Sequence, residues 1–347
     1  MVISEKNLPK VVLGLSGGVD SSVAAKKLKD AGYAVYGLYI VMHEHGKDGI
    51  EAARQVAKEA GIEFDVFDAT DLFEKTVVKN FIESYSSGKT PNPCAVCNPN
   101  VKFRVLCDYA DGIGAEKIAT GHYAGIGERN GRYFAVKSEF KDQSYMLCGL
   151  SQSQLSRCIF PLFGTLKSEN RAEAEKAGLS SAQKKDSQEI CFIPDNDYAS
   201  FIESRIGAFP EGDFWLEDEN RAVGRHKGII RYTVGQSKKL GIALGVPLYV
   251  QGTDVENNRV VLTKTDVVNC TELICENPVF QLLDENFTET DAEVKIRYAH
   301  KGAKAKIINE KNGRLRIVFS EPQRAATPGQ FAVAYSGNEL LCSGVIV

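Results

Sequence analysis

The chain has 347 residues, 43% of them hydrophobic and 25% charged, with nine cysteines and a formal net charge of −3. At roughly 150 residues per domain the length predicts two or three domains, and the composition excludes a disordered chain, a collagen-like repeat and a small disulfide scaffold. No apolar run approaches the roughly 18 residues of a membrane span, and MVISEKNLPK lacks a signal peptide's apolar stretch, so a cytoplasmic protein without a membrane partner and with reduced cysteines is expected.

Residues 11–14 are a short apolar run ending in glycine, the pattern of a buried strand. Residues 20–31 carry helical spacing, with Val23, Ala24 and Leu28 on one face. Residues 34–40 read as a strand, 49–60 as a helix, 63–67 as a strand, 72–85 and 101–110 as helices, and 117–119 as a strand. This alternation predicts α/β architecture, a doubly wound parallel sheet covered on both faces. The stretch 201–274 is mixed and glycine-rich. Asn257-Asn258 and Asn312-Gly313 read as hairpin turns, and 294–296, 305–308, 315–319, 331–335 and 340–345 as short strands. They predict a C-terminal antiparallel β-barrel. The expected domains are 1–200, a small mixed central domain at 201–274, and the barrel at 275–347.

Charge is uneven. Residues 291–347 hold nine Lys/Arg against five Asp/Glu, and residues 221–241 hold six Lys/Arg and no acid. Basic surface that meets phosphates is therefore compatible with the negative total, the alternative being a solvated basic loop.

Residues 11–22 read VVLGLSGGVDSS, a strand running through a Gly/Ser loop into a helix. Glycines let the backbone approach an anion, and a helix N-terminus supplies free N–H groups and partial positive charge. Ser16, Ser21 and Ser22 add hydroxyl donors. The same residues also read as a plain turn with Asp20 as helix cap. Two other motifs fail: Gly88-Lys89-Thr90 resembles the end of a phosphate-binding Walker loop but has Glu83 where that loop needs glycine, and Gly125-Ile126-Gly127 is followed by Asn130.

GKTPNPCAVCNPNVKF (88–103) places Cys94 and Cys97 in a Pro/Asn-rich loop, poorly suited to a core role. Cys191 lies near Lys184, Lys185 and Asp186, where lysines would lower a thiol pKa. The alternative is a core residue among Ile190, Phe192 and Ile193. His43, His45 and His226 show no metal-ligand spacing.

SGGVDS after an apolar strand resembles the phosphate loop of the N-type ATP-pyrophosphatase superfamily, whose adenine-nucleotide alpha-hydrolase-like domain adenylates an oxygen and releases pyrophosphate. TPNPCAVCN, ATGHYA (119–124), DQSYML (142–147), DSQEICFI (186–193), TVGQSKKLGI (233–242), DVENNRV (254–260), IRY (296–298) and ATPGQFAV (326–333) follow in order. Together they resemble the bacterial tRNA-specific 2-thiouridylase family over essentially the whole chain.

The resemblance implies ATP at Gly14, Leu15, Ser16, Gly17, Gly18, Val19, Asp20, Ser21, Ile40 and Gly121, with Mg²⁺ near Asp20. It implies Cys97 as nucleophile and Cys191 as persulfide carrier, with Asp20 the third catalytic residue. Asn92, Pro93 and Cys94 would face the target base, and His122, Asp142, Gln143, Ser144, Arg297, Tyr298 and Gln330 would contact tRNA. The implied partners are a tRNA with a wobble uridine, a persulfide sulfur-donor protein and a reductant that reopens a Cys97–Cys191 disulfide. One departure stands out: Cys94 occupies the place of Asp in the relatives' NPD pattern. Cys94, Cys97 and Cys191 thus also suit a 4Fe–4S cluster that delivers sulfide, the alternative to the expected persulfide route. A small-molecule ligase of the same superfamily would not need the basic C-terminal half, and a noncatalytic RNA-binding module would not need paired thiols beside a phosphate loop.

Overall fold

The computed structural model describes residues 8–184, 190–265 and 269–347. The N-terminal part runs β1 (Lys10–Gly14), α1 (Val19–Asp30), β2 (Ala34–Val41), α2 (Ile50–Ala60) and β3 (Glu63–Asp68). Next come α3 (Thr70–Phe73), which passes through a π-turn into α4 (Lys79–Ser86), and α5 (Pro93–Cys97). A second π-turn, Asn98–Lys102, leads into α6 (Phe103–Ile113), and β4 is Lys117–Ala119. A hairpin of β5 (Ala124–Arg129) and β6 (Arg132–Lys137) precedes α7 (Gln152–Leu155), β7 (Cys158–Ile159), α8 (Lys167–Lys176) and α9 (Tyr198–Ile206).

Five strands form a parallel sheet in the order β3-β2-β1-β4-β7. Val11, Val12 and Leu13 of β1 are all fully buried because helices cover both faces of the sheet. Successive side chains point to opposite faces. Val11 and Leu13 pack with Val23, Leu28, Val56 and Ala174, and Val12 packs with Phe73, Phe81, Phe103 and Leu106. β1 lies between β2 and β4, so the strand order reverses there and opens a crevice at the strands' carboxyl ends.

The cysteine-bearing segment expected to be a loop is partly helix. Pro93 occupies the first turn of α5, and the Asn92 side chain accepts the Ala95 N–H at 3.1 Å. A fixed φ and an Asn cap are both helix-starting devices.

The central sheet, β8 (Gly212–Leu216), β9 (Arg221–His226), β10 (Tyr249–Asp254) and β11 (Arg259–Thr263), has the order β10-β11-β8-β9. The expected hairpin turn lies between β10 and β11, with Asn258 at φ +51°. The C-terminal strands are β12 (Asn269–Phe280), β13 (Glu289–Lys295), β14 (Ala303–Asn309), β15 (Arg314–Arg324), β16 (Phe331–Ser336) and β17 (Glu339–Ile346). They pair antiparallel in the order β12-β15-β14-β13-β16-β17, and β12–β17 pairing closes the barrel. The sequence pattern missed β12. Its register shifts between Glu276 and Val279, with Asn277 at φ +52° ahead of Pro278, a bulge that breaks the alternation a strand normally shows. Among the described residues no helix is long and apolar enough to cross a membrane.

The barrel is welded to the parallel-sheet domain. β6 pairs with β17 through Val136 and Glu339. The fully buried Gln281 accepts the Ala135 N–H at 2.9 Å and donates to the Leu147 carbonyl at 2.9 Å. Tyr145 donates to the Phe331 carbonyl and Ser343 to the Cys148 carbonyl, each at 2.9 Å. Gln281→Leu leaves a buried N–H and carbonyl unpaired and should lower stability by about 3 kcal/mol. Urea unfolding of the two proteins measures this, and a change below about 1 kcal/mol would show that the junction does not depend on the amide.

Candidate active site

The phosphate loop lies at the strand-order reversal. Gly18 caps α1 without any side-chain bond, and Asp20 lies in the first turn, so Asp20 is not the cap. The hydroxyls of Ser21 and Ser22 both donate to the Gly18 carbonyl, at 3.1 and 2.8 Å. The first-turn N–H groups of α1 are left for an anion. Two glycines are required by contact. Gly17 has φ +71°, and a Cβ there would come 2.8 Å from the Ala53 nitrogen. A Cβ on Gly121 would come 3.0 Å from the Asp20 carbonyl carbon, so the chain beyond β4 can approach α1 only without a side chain.

Asp20 gathers cations that the sequence patterns did not reveal. Lys167 Nζ lies 2.8 Å from both carboxylate oxygens, and Lys141 Nζ lies 3.9 Å from Oδ2. The Tyr123 hydroxyl donates to Oδ1 at 2.6 Å, and Asn170 donates to that hydroxyl at 3.0 Å. Lys184 donates to the Gly17 carbonyl at 3.1 Å. Three ammonium groups therefore surround a loop that already presents a helix N-terminus. Lys141 precedes a motif that drew notice, but Lys167 meets Asp20 across 147 residues, and nothing local marks it.

The loop opens on a cavity of about 280 Å³. Gly14, Leu15, Ser16, Asp20 and Ser21 form one wall, and Leu38, Tyr39, Ile40 and Met42 at the end of β2 form another. Lys102, Thr120, Gly121, His122 and Gln143 complete it. His122 was expected at a tRNA contact. It lies in the cavity wall, with Nδ1 2.7 Å from the Thr120 hydroxyl and its ring stacked on Phe103. Surrounding protein, with Lys102 and Lys141 adding, pushes its imidazole down to about 3, so it is neutral at working pH. The Gln143 side chain accepts the Tyr123 N–H at 2.9 Å.

The thiols lie beside this cavity. Cys97 is buried, and its thiol lies 3.6 Å from the Met42 thioether, which is part of the cavity wall. Cys94 and Cys191 are exposed at their surfaces, and both lie within electrostatic reach of Cys97. Burial raises the Cys97 thiol above its ordinary range, opposed by the Lys102 ammonium and the Lys102 backbone N–H. Cys191 is pushed up to about 12 by the protein packed around it, then by Cys97 and Cys94. The expected activation of Cys191 by Lys184 is thus corrected. Lys184 is engaged with the phosphate loop, the cation that acts on Cys191 among the described residues is Lys102, and Lys185 and Asp186 lie outside them. Phe192 and Ile193, directly after Cys191, wall a second cavity of about 550 Å³ that shares Met42 with the first. Among the described residues no group of three or more His, Cys, Asp or Glu side chains is arranged to hold a metal ion.

The remaining expected RNA contacts divide by exposure. Tyr298 is 40% exposed and donates to the Asp142 carbonyl at 3.2 Å, and Arg297 donates to the Arg324 carbonyl at 3.1 Å. Ser144 is fully buried against the Tyr335 hydroxyl and offers no surface to a macromolecule in this structure. Gln330 reaches across the domains to donate to the Thr90 and Pro91 carbonyls, at 2.9 and 3.2 Å, directly before Asn92, Pro93 and Cys94. In the basic stretch 221–241, Arg221, Arg225 and Arg231 pair with Glu219, Asp213 and Glu203, acids outside the stretch that a local charge count overlooks. Lys227, Lys238 and Lys239 form no ion pair among the described residues.

A helix-covered parallel sheet with a phosphate loop at its strand-order reversal defines a nucleotide-binding α/β domain of the HUP class, here carrying a mixed sheet and a barrel. Residues 9–195 match the family described as the tRNA methyl transferase HUP domain. Residues 199–264 match its PRC-barrel domain, and 270–346 the aminomethyltransferase beta-barrel domain. The chain is 41% identical over 352 residues to tRNA-specific 2-thiouridylase MnmA of Clostridium botulinum (strain Alaska E43 / Type E3), covering 97% of each chain. It is 42% identical over 351 residues to tRNA-specific 2-thiouridylase MnmA 2 of Clostridium tetani (strain Massachusetts / E88), covering 97% of this chain and 98% of that one. The chain belongs to the tRNA-specific 2-thiouridylase family. Among solved structures, the U34-tRNA thiolase NcsA from Methanococcus maripaludis with its [4Fe-4S] cluster is similar over 57% of this chain and 67% of that one, at TM-score 0.36 and 20% identity. That likeness is too slight to bear on the chemistry.

With Cys191 raised to about 12, its alkylation by iodoacetamide should rise about tenfold per pH unit from pH 7 to 10, without a plateau. Mass spectrometry of the Cys191 peptide measures this. A plateau below pH 9 would show that the thiol is activated in the resting protein.

Proposed function

We propose that this protein activates the wobble uridine of tRNA with ATP and replaces its C2 oxygen with sulfur. One juxtaposition carries the proposal: the phosphate loop and the Cys97 thiol meet the same cavity, Cys97 through Met42. The matched family description names methyl transfer, but a phosphate loop with thiols beside it suits oxygen activation and sulfur transfer.

ATP lies with its base end against Leu15 and Ile40 and its phosphates over the first turn of α1, where Lys141, Lys167 and Lys184 add positive charge. The uridine C2 oxygen attacks the α-phosphorus, and pyrophosphate leaves. The oxygen is now part of AMP, a far better leaving group. Asp20 is the carboxylate placed for Mg²⁺, an ion that binds through one or two carboxylates together with substrate phosphates. Bound there, it would neutralise charge on the departing pyrophosphate.

Cys191 carries the incoming sulfur as a persulfide received from a donor protein. A raised thiol is a poor nucleophile, but in a persulfide the attacking atom is the outer sulfur. That sulfur attacks C2 and AMP leaves. Cys97 thiolate then attacks the Cys191 sulfur, so the S–S bond to the base breaks and its electron pair stays on the base as the thiocarbonyl. The Cys97–Cys191 disulfide that forms must be reduced from outside. Alternatively Cys97 attacks first and frees hydrosulfide, which displaces AMP. The wobble base belongs to a single-stranded loop and can be splayed into the cavity.

On this reading residues 1–200 are the catalytic unit, while 201–274 and 275–347 hold the tRNA. The closeness of Cys94 to Cys97 and Cys191 favours the second route, a 4Fe–4S cluster, only as far as proximity goes. The three thiols are not arranged as a ligand set, and no step is derived through a cluster.

Asp20→Ala should abolish tRNA-dependent pyrophosphate release, and near-normal release by the folded variant would exclude Asp20 from the reaction. Cys191→Ser should still release pyrophosphate with tRNA yet form no 2-thiouridine by nucleoside analysis. Cys94→Ser should keep part of the thiolation. If anaerobically prepared protein holds about four irons and Cys94→Ser loses both iron and activity, the cluster route replaces the persulfide route. tRNA affinity should fall steeply with salt, by about 0.7–0.9 log units per phosphate contact per log unit of salt. Lys238→Ala with Lys239→Ala should flatten that slope, and a slope near zero in the intact protein would refute a phosphate-contacting surface.

A further inference from the structure

The cavity has cations at two separate places. Lys141 and Lys167 gather on Asp20 at the phosphate end. Lys102 lines the same cavity but belongs to the cysteine segment, five residues beyond Cys97 at the end of the π-turn Asn98–Lys102. π-turns are rare and concentrate at functional sites, because one extra residue in the turn re-aims the groups that follow. Met42 closes the geometry: it touches the Cys97 thiol at 3.6 Å and stands in the cavity wall with Lys102.

We propose that Lys102 is the positioning residue for anionic sulfur, holding its ammonium between the nucleotide cavity and the Cys97–Cys191 pair. The proposal deepens the thiolation reading and rests on it for the identity of the sulfur acceptor. Every route from thiol to thiocarbonyl passes through sulfur anions: the Cys97 thiolate, the outer persulfide sulfur, or free hydrosulfide. Each is disfavoured next to buried protein unless a cation faces it.

Among the described residues, the groups that face Cys97 are Cys94 on its own helix, Lys102 on the following turn, Cys191 from the segment before α9, and the uncharged Met42 at the end of β2. Of these only Lys102 is a cation. Its field opposes the rise of both Cys97 and Cys191, and its backbone N–H is directed at Cys97 as well. The side chain is half-buried and forms no ion pair among the described residues. An ammonium so placed stabilises sulfur anion where the base must lie, while the lysines at Asp20 serve the phosphates.

The experiment is carboxamidomethylation of the full-length protein without tRNA, from pH 6 to 10, following the Cys97 peptide by mass spectrometry. Lys102→Gln should slow Cys97 alkylation at pH 8 by about tenfold and move its profile to higher pH, as loss of a facing charge moves a pKa by about one unit. Lys102→Arg, which keeps the charge, should stay within about threefold of the parent. Cys107, whose thiol faces Arg157, Asp111 and Asp108 instead, should alkylate at the parent rate in both variants. In tRNA thiolation Lys102→Gln should lose at least about tenfold, and Lys102→Arg should recover most of it. An unmoved Cys97 profile in Lys102→Gln overturns the proposal, as does a Cys107 rate that changes with it, which would mean lost structure. If the intact protein fails to thiolate tRNA, the functional reading falls, and the alkylation profile still decides the electrostatic role of Lys102.

Discussion

Residues 88–91 are held by three parts of the chain, and the placement of the thiols depends on that grip. Thr90 N–H donates to the Pro328 carbonyl at 2.8 Å, and Gln330 returns two bonds to the Thr90 and Pro91 carbonyls. From the central domain, Thr253 donates to the Gly88 carbonyl at 3.2 Å, and Thr233 lies 3.5 Å from the Thr90 hydroxyl. A Cβ at Gly329, where φ is +91°, would come 3.0 Å from the Thr90 carbonyl. The next residue, Asn92, caps α5, and α5 ends at Cys97. The barrel and the central sheet therefore help to set the register of the cysteine helix, in addition to whatever RNA surface they present.

The thiols pay an electrostatic penalty for being packed beside the cavity. Burial raises the Cys97 thiol, and the protein packed around the surface-exposed Cys191 raises that one too, which protects both from stray alkylation and oxidation. The same burial would block the chemistry if the attacking atom had to be a resting thiolate. A sulfur delivered as persulfide removes the conflict at Cys191, and at Cys97 the Lys102 ammonium opposes it. Substrate entry changes the environment at the moment when reactivity is needed, and a low-dielectric cavity strengthens the interaction of each charge that remains.

Much of the fold was legible in local patterns. β1 shows the continuous apolar run of a strand buried on both faces and ends in Gly14 ahead of α1. What escaped were features whose causes are not local. β12 hid behind its Asn277-Pro278 bulge. The β5–β6 hairpin, seen only as a failed glycine motif, is an extension of the barrel sheet through β17. At the site, the loop glycines could be picked out because backbone approach to an anion demands a particular residue type, and Gly14 lines one cavity with Ile40 and Gly121. Lys167 could not, because any lysine on α8 looks the same until the fold brings it to Asp20. The basic stretch misled in the opposite sense. Arg225 and Arg231 face acids from other elements and Arg221 faces Glu219 just outside the stretch, so a run of charge overstates a surface when its partners lie beyond its bounds.

Cys94 illustrates how one residue type changes what neighbouring groups can do. An aspartate at that place would put a fixed negative charge near Cys97 and Cys191 and hold both further toward the protonated thiol. A thiol carries no such fixed charge and leaves Lys102 as the charge facing the sulfur site. It also adds an exposed sulfur within electrostatic reach of the other two, so a persulfide on Cys191 could be attacked from Cys94 as well as from Cys97. Geometry separates the two attackers. Cys97 is buried in contact with the Met42 wall of the cavity, whereas Cys94 lies a turn earlier on α5, toward solvent. Hydrosulfide freed by Cys97 would emerge beside the activated base, and hydrosulfide freed by Cys94 would be lost to water. On the proposed route, productive transfer would depend on attack from the buried end of α5, whose placement the clamp on residues 88–91 helps to set.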